Sequence, residues 1–399
     1  MNAAGPIYLD NNATTRVDPR VVAEMLPLFT EHWGNPSSLH RFGEAAGERL
    51  RAARGQVRAL LGAAQDSEIV FTSGGTESNA TAILSALEAA PRRREIVTSQ
   101  VEHPSVLSLV HHLERTAGYR VHTIGVDRLG RLDLAAYEAA LSPNVAVASI
   151  MWANNETGTV FPVEMLAGMA RRHAIPFHSD AVQAVGKIPL RLAGSAVDML
   201  SLSGHKLHGP KGVGALYVRR GLEFQPLFRG GHQERGRRAG TENTAGIVGL
   251  GKAAELALAN LGDANTRVRA LRDRLEQGIL RLVPDCFVAG DPEARLPNTS
   301  TVAFEFVEGE AILLMLNRQG IAASSGSACT SGSPEPSHVM TAMGVTFTAA
   351  YGAVRFSLSR YTTEAEVDRV LDALPGVVAR QRGASPYWRE GDTAALAMA

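Results

Sequence analysis

One lysine and one cysteine, each set among small residues, carry the clearest chemical signals in this chain. Lys206 lies in Ser203-Gly204-His205-Lys206-Leu207-His208-Gly209-Pro210-Lys211-Gly212, directly after the apolar run Met199 to Leu202. A lysine hemmed by glycines past a buried strand is poorly solvated and suits Schiff-base chemistry. Ser203 and His205 beside it could donate to a phosphate. Most lysines in turns are surface groups, but two lysines and two histidines in one Gly/Pro frame weigh against that here. Cys329 sits in Ala323-Ser324-Ser325-Gly326-Ser327-Ala328-Cys329-Thr330-Ser331-Gly332-Ser333, which has no bulky side chain. Structural cysteines usually lie among large apolar neighbours, so this thiol reads as reactive and its segment, 324–333, as a mobile loop. Cys286, between Asp285 and Phe287, reads as merely packed.

Other motifs add weaker signals. Ser73-Gly74-Gly75-Thr76-Glu77-Ser78 separates a strand from a helix and could cradle a phosphate with backbone N–H groups, the helix N-terminus and the Thr76 hydroxyl. A glycine turn capped by threonine explains it equally well. Asp180, in His178-Ser179-Asp180-Ala181-Val182-Gln183, could hold a ring nitrogen protonated or simply cap the next helix. His103 could stack on a flat ring, and Asn155 lies in a polar loop after another strand. Arg355, inside Val354-Arg355-Phe356, could grip a carboxylate or form an internal ion pair. Gly230 to Asn243 mixes glycine and arginine, and its Thr241 could reach a phosphate across a subunit boundary.

The elements that must position these residues form a regular alternation. Short apolar runs (68–72, 96–98, 145–150, 176–178 and 199–202) alternate with helical patterns up to Val218. This predicts an α/β fold with a mostly parallel central sheet flanked by helices. Thr76, His103, Asn155, Asp180 and Lys206 follow successive strands, so one sheet edge would hold them all, where such sheets bind ligands. Past residue 260 a charged helix (266–282), the run 296–306 and a helix at 310–318 suggest a smaller α+β domain. The expected division is 14–260 for the large domain and 1–13 with 261–399 for the small one. The tail after Gly383 reads as loosely docked.

The 40 basic residues balance 40 acidic ones, so no whole-molecule field draws in nucleic acid or an anionic membrane. No apolar run could cross a bilayer and no secretory signal is visible, which places the protein in the cytoplasm. Two distant cysteines argue against a resident zinc or iron–sulfur site.

Together these motifs resemble the cysteine desulfurases, a branch of the fold-type I pyridoxal-phosphate enzymes. The resemblance runs from Ile7-Tyr8-Leu9-Asp10-Asn11-Asn12-Ala13-Thr14-Thr15 to Ser385-Pro386-Tyr387-Trp388, with no departure at a motif position. Asp10 to Thr15, Glu234 to Asn243, and Ser331-Gly332-Ser333 are similar to the nitrogen-fixation type more than the housekeeping type. The resemblance implies pyridoxal 5'-phosphate covalently held by Lys206, which also moves protons. It implies Asp180 on the pyridine nitrogen, Gln183 and Asn155 on ring substituents, and His103 on the ring face. Gly75, Thr76, Ser203, Gly204 and His205 would bind the phosphate, joined by Thr241 from the partner of a homodimer. Arg355, helped by Asn11 or Asn12, would grip the carboxylate of L-cysteine. Cys329 would take the sulfur, leaving alanine and an enzyme persulfide for an iron–sulfur scaffold protein. Cys329 would then be a metal ligand only transiently, in a 2Fe–2S cluster shared with that scaffold. An aminotransferase, a selenocysteine lyase and a non-catalytic scaffold are the rival readings.

Overall fold

In the computed structural model the described residues are 5–325, 336–385 and 388. Seven strands form the central sheet: β1 (Ile69–Thr72), β2 (Glu95–Ser99), β3 (Arg120–Ile124), β4 (Val145–Ser149), β5 (Phe177–Asp180), β6 (Met199–Ser203) and β7 (Gly214–Val218). Their order is β1-β7-β6-β5-β4-β2-β3. All run parallel except β7, which pairs antiparallel with both β1 and β6.

Every residue of β1, β4, β5, β6 and β7 is buried, because helices cover both faces. Successive side chains point to opposite faces of a strand. Val70 and Ile96 accordingly pack with Ile83, Val106 and Val110 of helices 75–89 and 104–117. Their neighbours Ile69, Phe71 and Val97 join Val57, Leu166 and Leu250 of helices 41–61, 163–172 and 244–259 on the other face. Each such buried aliphatic side chain stabilises the fold by roughly 1.5–3 kcal/mol relative to exposure.

A second core gathers the N-terminal segment and the C-terminal third. Strands β8 (Cys286–Ala289), β9 (Thr299–Phe304) and β10 (Ala353–Ser357) form an antiparallel sheet in the order β10-β9-β8. Residues 7–8 pair in parallel with 321–322. Ile7, Leu9, Phe304 and Phe356 pack there against helices 269–282 and 364–384. The other faces of β8 and β9, at Ala289 and Ala303, belong to the large core, so the two cores meet across this sheet. Helix 364–384 ends one residue past Gly383, where the loosely docked tail was expected to begin. Beyond it the Trp388 ring lies 5.7 Å from Phe306 with the Arg382 guanidinium over it at 4.6 Å, so that residue is docked. Among the described residues no helix is long and apolar enough to cross a membrane.

Candidate active site

A cavity of about 320 Å³ opens where β1, β2, β4, β5 and β6 end. Gly75, Thr76, His103, Asn155, Asp180, Gln183, Ser203, His205, Lys206 and Arg355 all line it, with Asn12 from the N-terminal segment. Three expected residues lie elsewhere. The Asn11 amide is turned to the carbonyls of Ser357 and Tyr8, at 2.8 and 3.2 Å. Gly204 bonds Val213 through its backbone, and a Cβ there would lie 3.0 Å from the Pro210 carbonyl, so a side chain would crowd the turn. Thr241 is exposed and borders a separate depression with Arg238 and Glu242. Cys329 lies outside the described residues.

Lys206 ends the short turn 204–206 after β6. Its Nζ donates to the carbonyls of Asn12 and Ala13, the latter at 2.7 Å. Lys211, five positions on, is exposed. At one end of the cavity stand Ser203, His205 and the start of helix 75–89. The first turn of a helix leaves N–H groups without intrahelical acceptors, which suits an anion. A Cβ at position 75 would strike Val182 at 2.8 Å, so only glycine lets that helix start so close to β5. Burial and the charges of Lys206 and Lys211 pull His205 down to about 4, so it enters the site neutral.

Asp180 terminates β5, nearly buried. Its Oδ1 accepts from the Val182 backbone at 3.0 Å and its Oδ2 from the Asn79 amide at 2.7 Å. No helix begins between β5 and β6, so Asp180 does not cap one; it combines a local bond within a turn with a place in the cavity. Arg355 also combines two roles: its Nη2 pairs with Asp10 at 2.8 Å and its Nη1 donates to the Asn155 carbonyl at 3.0 Å, while it still lines the cavity. Asn12 ties the pieces together, donating to the Asn155 carbonyl at 3.1 Å and to Thr299 at 2.9 Å. Gln183 donates to the Asn12 carbonyl at 2.9 Å.

The sequence reading missed several residues. Asn79, Ser105, Glu156 and His338 also line the cavity. Lys187, buried at its tip, donates to Gln183 Oε1 at 2.6 Å and to Asn12 Oδ1 at 3.1 Å. Burial, with Lys206 and Arg355 nearby, holds its amine well below the ordinary lysine range. Glu102, next to His103, is fully enclosed. Its Oε1 accepts from Ser99 Oγ at 2.7 Å and from the Met151 backbone at 2.8 Å.

Burial pushes the Glu102 carboxyl up to about 8. An unfolded glutamate ionises near about 4.3. Between about pH 5 and 8 the unfolded chain therefore gains stability from ionisation that the folded chain does not, and folding weakens as pH rises through this window. Glu102→Gln keeps the acceptor of both bonds and cannot ionise. A constant cost of about 1–3 kcal/mol is expected from burying the new amide. The melting temperature of the variant relative to wild type should nonetheless climb steadily from pH 5 to 8. A difference that stays flat with pH would contradict the burial of an ionisable Glu102.

Residues 7–370 match the family model described as aminotransferase class-V. A cysteine desulfurase of Gluconacetobacter diazotrophicus is 66% identical over 97% of this chain and 96% of its own length. The chain belongs to the cysteine desulfurase family, within the class-V aminotransferases. The cysteine desulfurase NifS of Azotobacter vinelandii is 64% identical over 96% of this chain and 95% of its own. A solved structure described as a NifS-like protein superposes with a TM-score of 0.88 at 39% identity, covering 94% of this chain and all of that one. A NifS-like protein from Rickettsia africae gives 0.84 at 30% identity, covering 94% of this chain and 99% of that one.

This family works with pyridoxal phosphate, and the cavity suits it. A lysine, an anion cradle at a helix start, a carboxylate held by two N–H donors and an imidazole surround one space of suitable size. Among the described residues no group of three His, Cys, Asp or Glu side chains could hold a metal ion.

Proposed function

We propose that this desulfurase supplies sulfur from L-cysteine to an iron–sulfur scaffold protein, in the service of nitrogenase maturation. The observation that carries the chemistry is that Lys206, Asp180, His103 and Arg355 line one cavity. Pyridoxal phosphate, when bound, supplies an electron sink for the substrate's reacting carbons. Lys206 holds it covalently and moves protons between those carbons. Gly75, Thr76, Ser203 and His205 take the phosphate, with the Gly204 turn shaping the cradle. Asp180 would hold the ring nitrogen, Gln183 and Asn155 would bond ring substituents, and His103 would cover the ring. Arg355, steadied by Asp10, and Asn12 grip the substrate carboxylate. The carbon–sulfur bond of cysteine breaks, the sulfur bonds to the Cys329 thiolate, and the carbon takes up a proton to give alanine. The persulfide then passes its sulfur on. We divide the chain into a large domain, 14–260, and a small one, 1–13 with 261–399.

Three sequence details and the 64% identity to the Azotobacter vinelandii protein support the link to nitrogen fixation. Purified protein given L-cysteine should release alanine, and with an apo-scaffold and iron it should build clusters. Deleting the gene should lower nitrogenase activity while other iron–sulfur enzymes persist. Keto acid in place of alanine would favour the aminotransferase reading, and unaffected nitrogenase the housekeeping one.

We further infer a homodimer. Val22, Leu26, Phe29, Trp33 and Phe42 are exposed within a stretch of 21 residues, Phe29 and Trp33 at 63% each, and Trp33 stacks on Phe42. Solvent is a poor partner for such a set of side chains. Thr241 is exposed and away from the cavity of its own chain, which supports a role at a partner's site. Mixing Lys206→Ala subunits with Thr241→Ala subunits should then restore activity beyond either homodimer, because one hybrid site keeps both residues. Light scattering that finds an active monomer would defeat the shared site.

A further inference from the structure

The residues expected on the cofactor ring are joined behind the cavity by an unbroken hydrogen-bonded chain. Asn79, on helix 75–89, is completely buried. Its amide nitrogen lies 2.7 Å from Asp180 Oδ2 and 2.9 Å from Ser105 Oγ. The opposite amide orientation would set oxygen against the carboxylate, so the nitrogen faces Asp180 and gives one hydrogen to each neighbour. Ser105 Oγ is therefore an acceptor from Asn79, and its own hydrogen is left for His103 Nδ1 at 2.8 Å. The backbone N–H of Ser105 also points at that nitrogen, at 3.1 Å, as His103 caps helix 104–117. With two donors aimed at it, Nδ1 has no hydrogen of its own. The neutral ring carries its proton on Nε2.

We propose that Asn79 is a positioning residue. Through Ser105 it holds His103 as the neutral Nε2–H tautomer, while its second N–H fixes the Asp180 carboxylate. The proposal rests on the functional reading above, in which both residues contact the ring. A second proton on His103 would have to enter at Nδ1, against the Ser105 N–H, and would drive the hydroxyl hydrogen away. His103 then meets the substrate as a proton donor at Nε2. The surroundings act in the same sense: burial lowers the affinity of His103 for a proton, Asp180 opposes this, and Lys206 and His338 reinforce it.

The test uses holoenzyme with nitrogen-15 histidine, the His103 signals assigned by their loss in His103→Gln. In wild type, Nδ1 should read as unprotonated across about pH 5 to 8, the range in which histidines ordinarily titrate. Asn79→Ala frees the Ser105 hydroxyl to turn and accept, so His103 should protonate at higher pH. Ser105→Ala, which keeps the backbone donor and the helix cap, should move it in the same direction. The double variant should shift less than the sum of the two single variants, because the path through that hydroxyl is lost only once and Asp180 carries what remains. Asn79→Ala should also lower kcat about tenfold, the worth of one good hydrogen bond, with KM little changed. A protonated Nδ1 in wild type, or additive shifts in the double variant, would overturn the proposal. Should Asn79→Ala fail to fold, the Ser105→Ala spectrum decides by itself. A protein without cofactor absorbance would defeat the functional reading, whereas a yellow protein with an unmoved His103 defeats only the chain.

Discussion

Lys206→Ala is expected to purify colourless, with alanine production below detection. The side chain is the one amine whose tip lies between the Asn12 and Ala13 carbonyls and the anion cradle. On the function proposed above, losing it removes both the covalent anchor of the cofactor and the group that moves protons. The two losses act on successive steps, so no residual turnover should survive. The fold should persist. The truncated side chain borders a cavity, and β6 before it is held by β5 and β7 along three and five paired positions. Borohydride reduction of wild type, followed by digestion and mass spectrometry, should place the cofactor on the peptide containing Lys206. Two other lysines sharpen this result. Lys211 is exposed and close in sequence, and Lys187 has a buried amine close in space. Reduced cofactor on either one would remove Lys206 from its role.

Much of this site was legible in the sequence because parallel strands buried on both faces read as short continuous apolar runs. β1, β2, β4 and β6 each have that character, and the residues after them had to share one edge. β3, Arg120-Val-His-Thr-Ile, was missed. It is the sheet's terminal strand, largely half-exposed, and its polar side chains mask the pattern. β7 was missed for a different reason: Gly214-Ala-Leu-Tyr-Val follows a glycine-rich loop and runs against its neighbours, which the alternation of strand and helix does not anticipate.

Contacts between distant segments were least legible. Nothing local pairs Asp10 with Arg355 across 345 positions, yet that pair balances the charge of a buried guanidinium. Asn79 looks like one polar residue among several on a helix, and it matters only because helix 75–89 brings it against Asp180, 101 positions later. Glycine was read too uniformly: Gly75 borders the cavity, while Gly204 serves the turn beneath it. The Asn11-Asn12 pair could not be split by inspection. Alternating direction along the chain sends Asn11 to Ser357 and Asn12 into the cavity.

Cys329→Ser is expected to separate cofactor chemistry from sulfur transfer completely. The position lies outside the described residues, so the expectation rests on sequence and on the thiol chemistry required. Serine nearly preserves volume and hydrogen bonding, but an alcohol is no soft nucleophile and does not accept sulfur. The variant should remain yellow, because Lys206, Asp180 and the anion cradle are untouched. Added cysteine should still change its absorbance, since the proposed carboxylate site, Arg355 and Asn12, is unaltered. Alanine production should stop, and no mass increase of one sulfur should appear on the protein. Cys286 is the internal control. Its thiol donates to the Val283 carbonyl at 3.1 Å, and burial pushes it up to about 11, so almost none is thiolate at neutral pH. Cys286→Ser should therefore match wild type in the same assay. Alanine and sulfide released by Cys329→Ser at the wild-type rate would show that the sulfur leaves without passing through this thiol. The enzyme would then be a lyase that expels sulfide from its substrate, and no persulfide would be available for a scaffold protein.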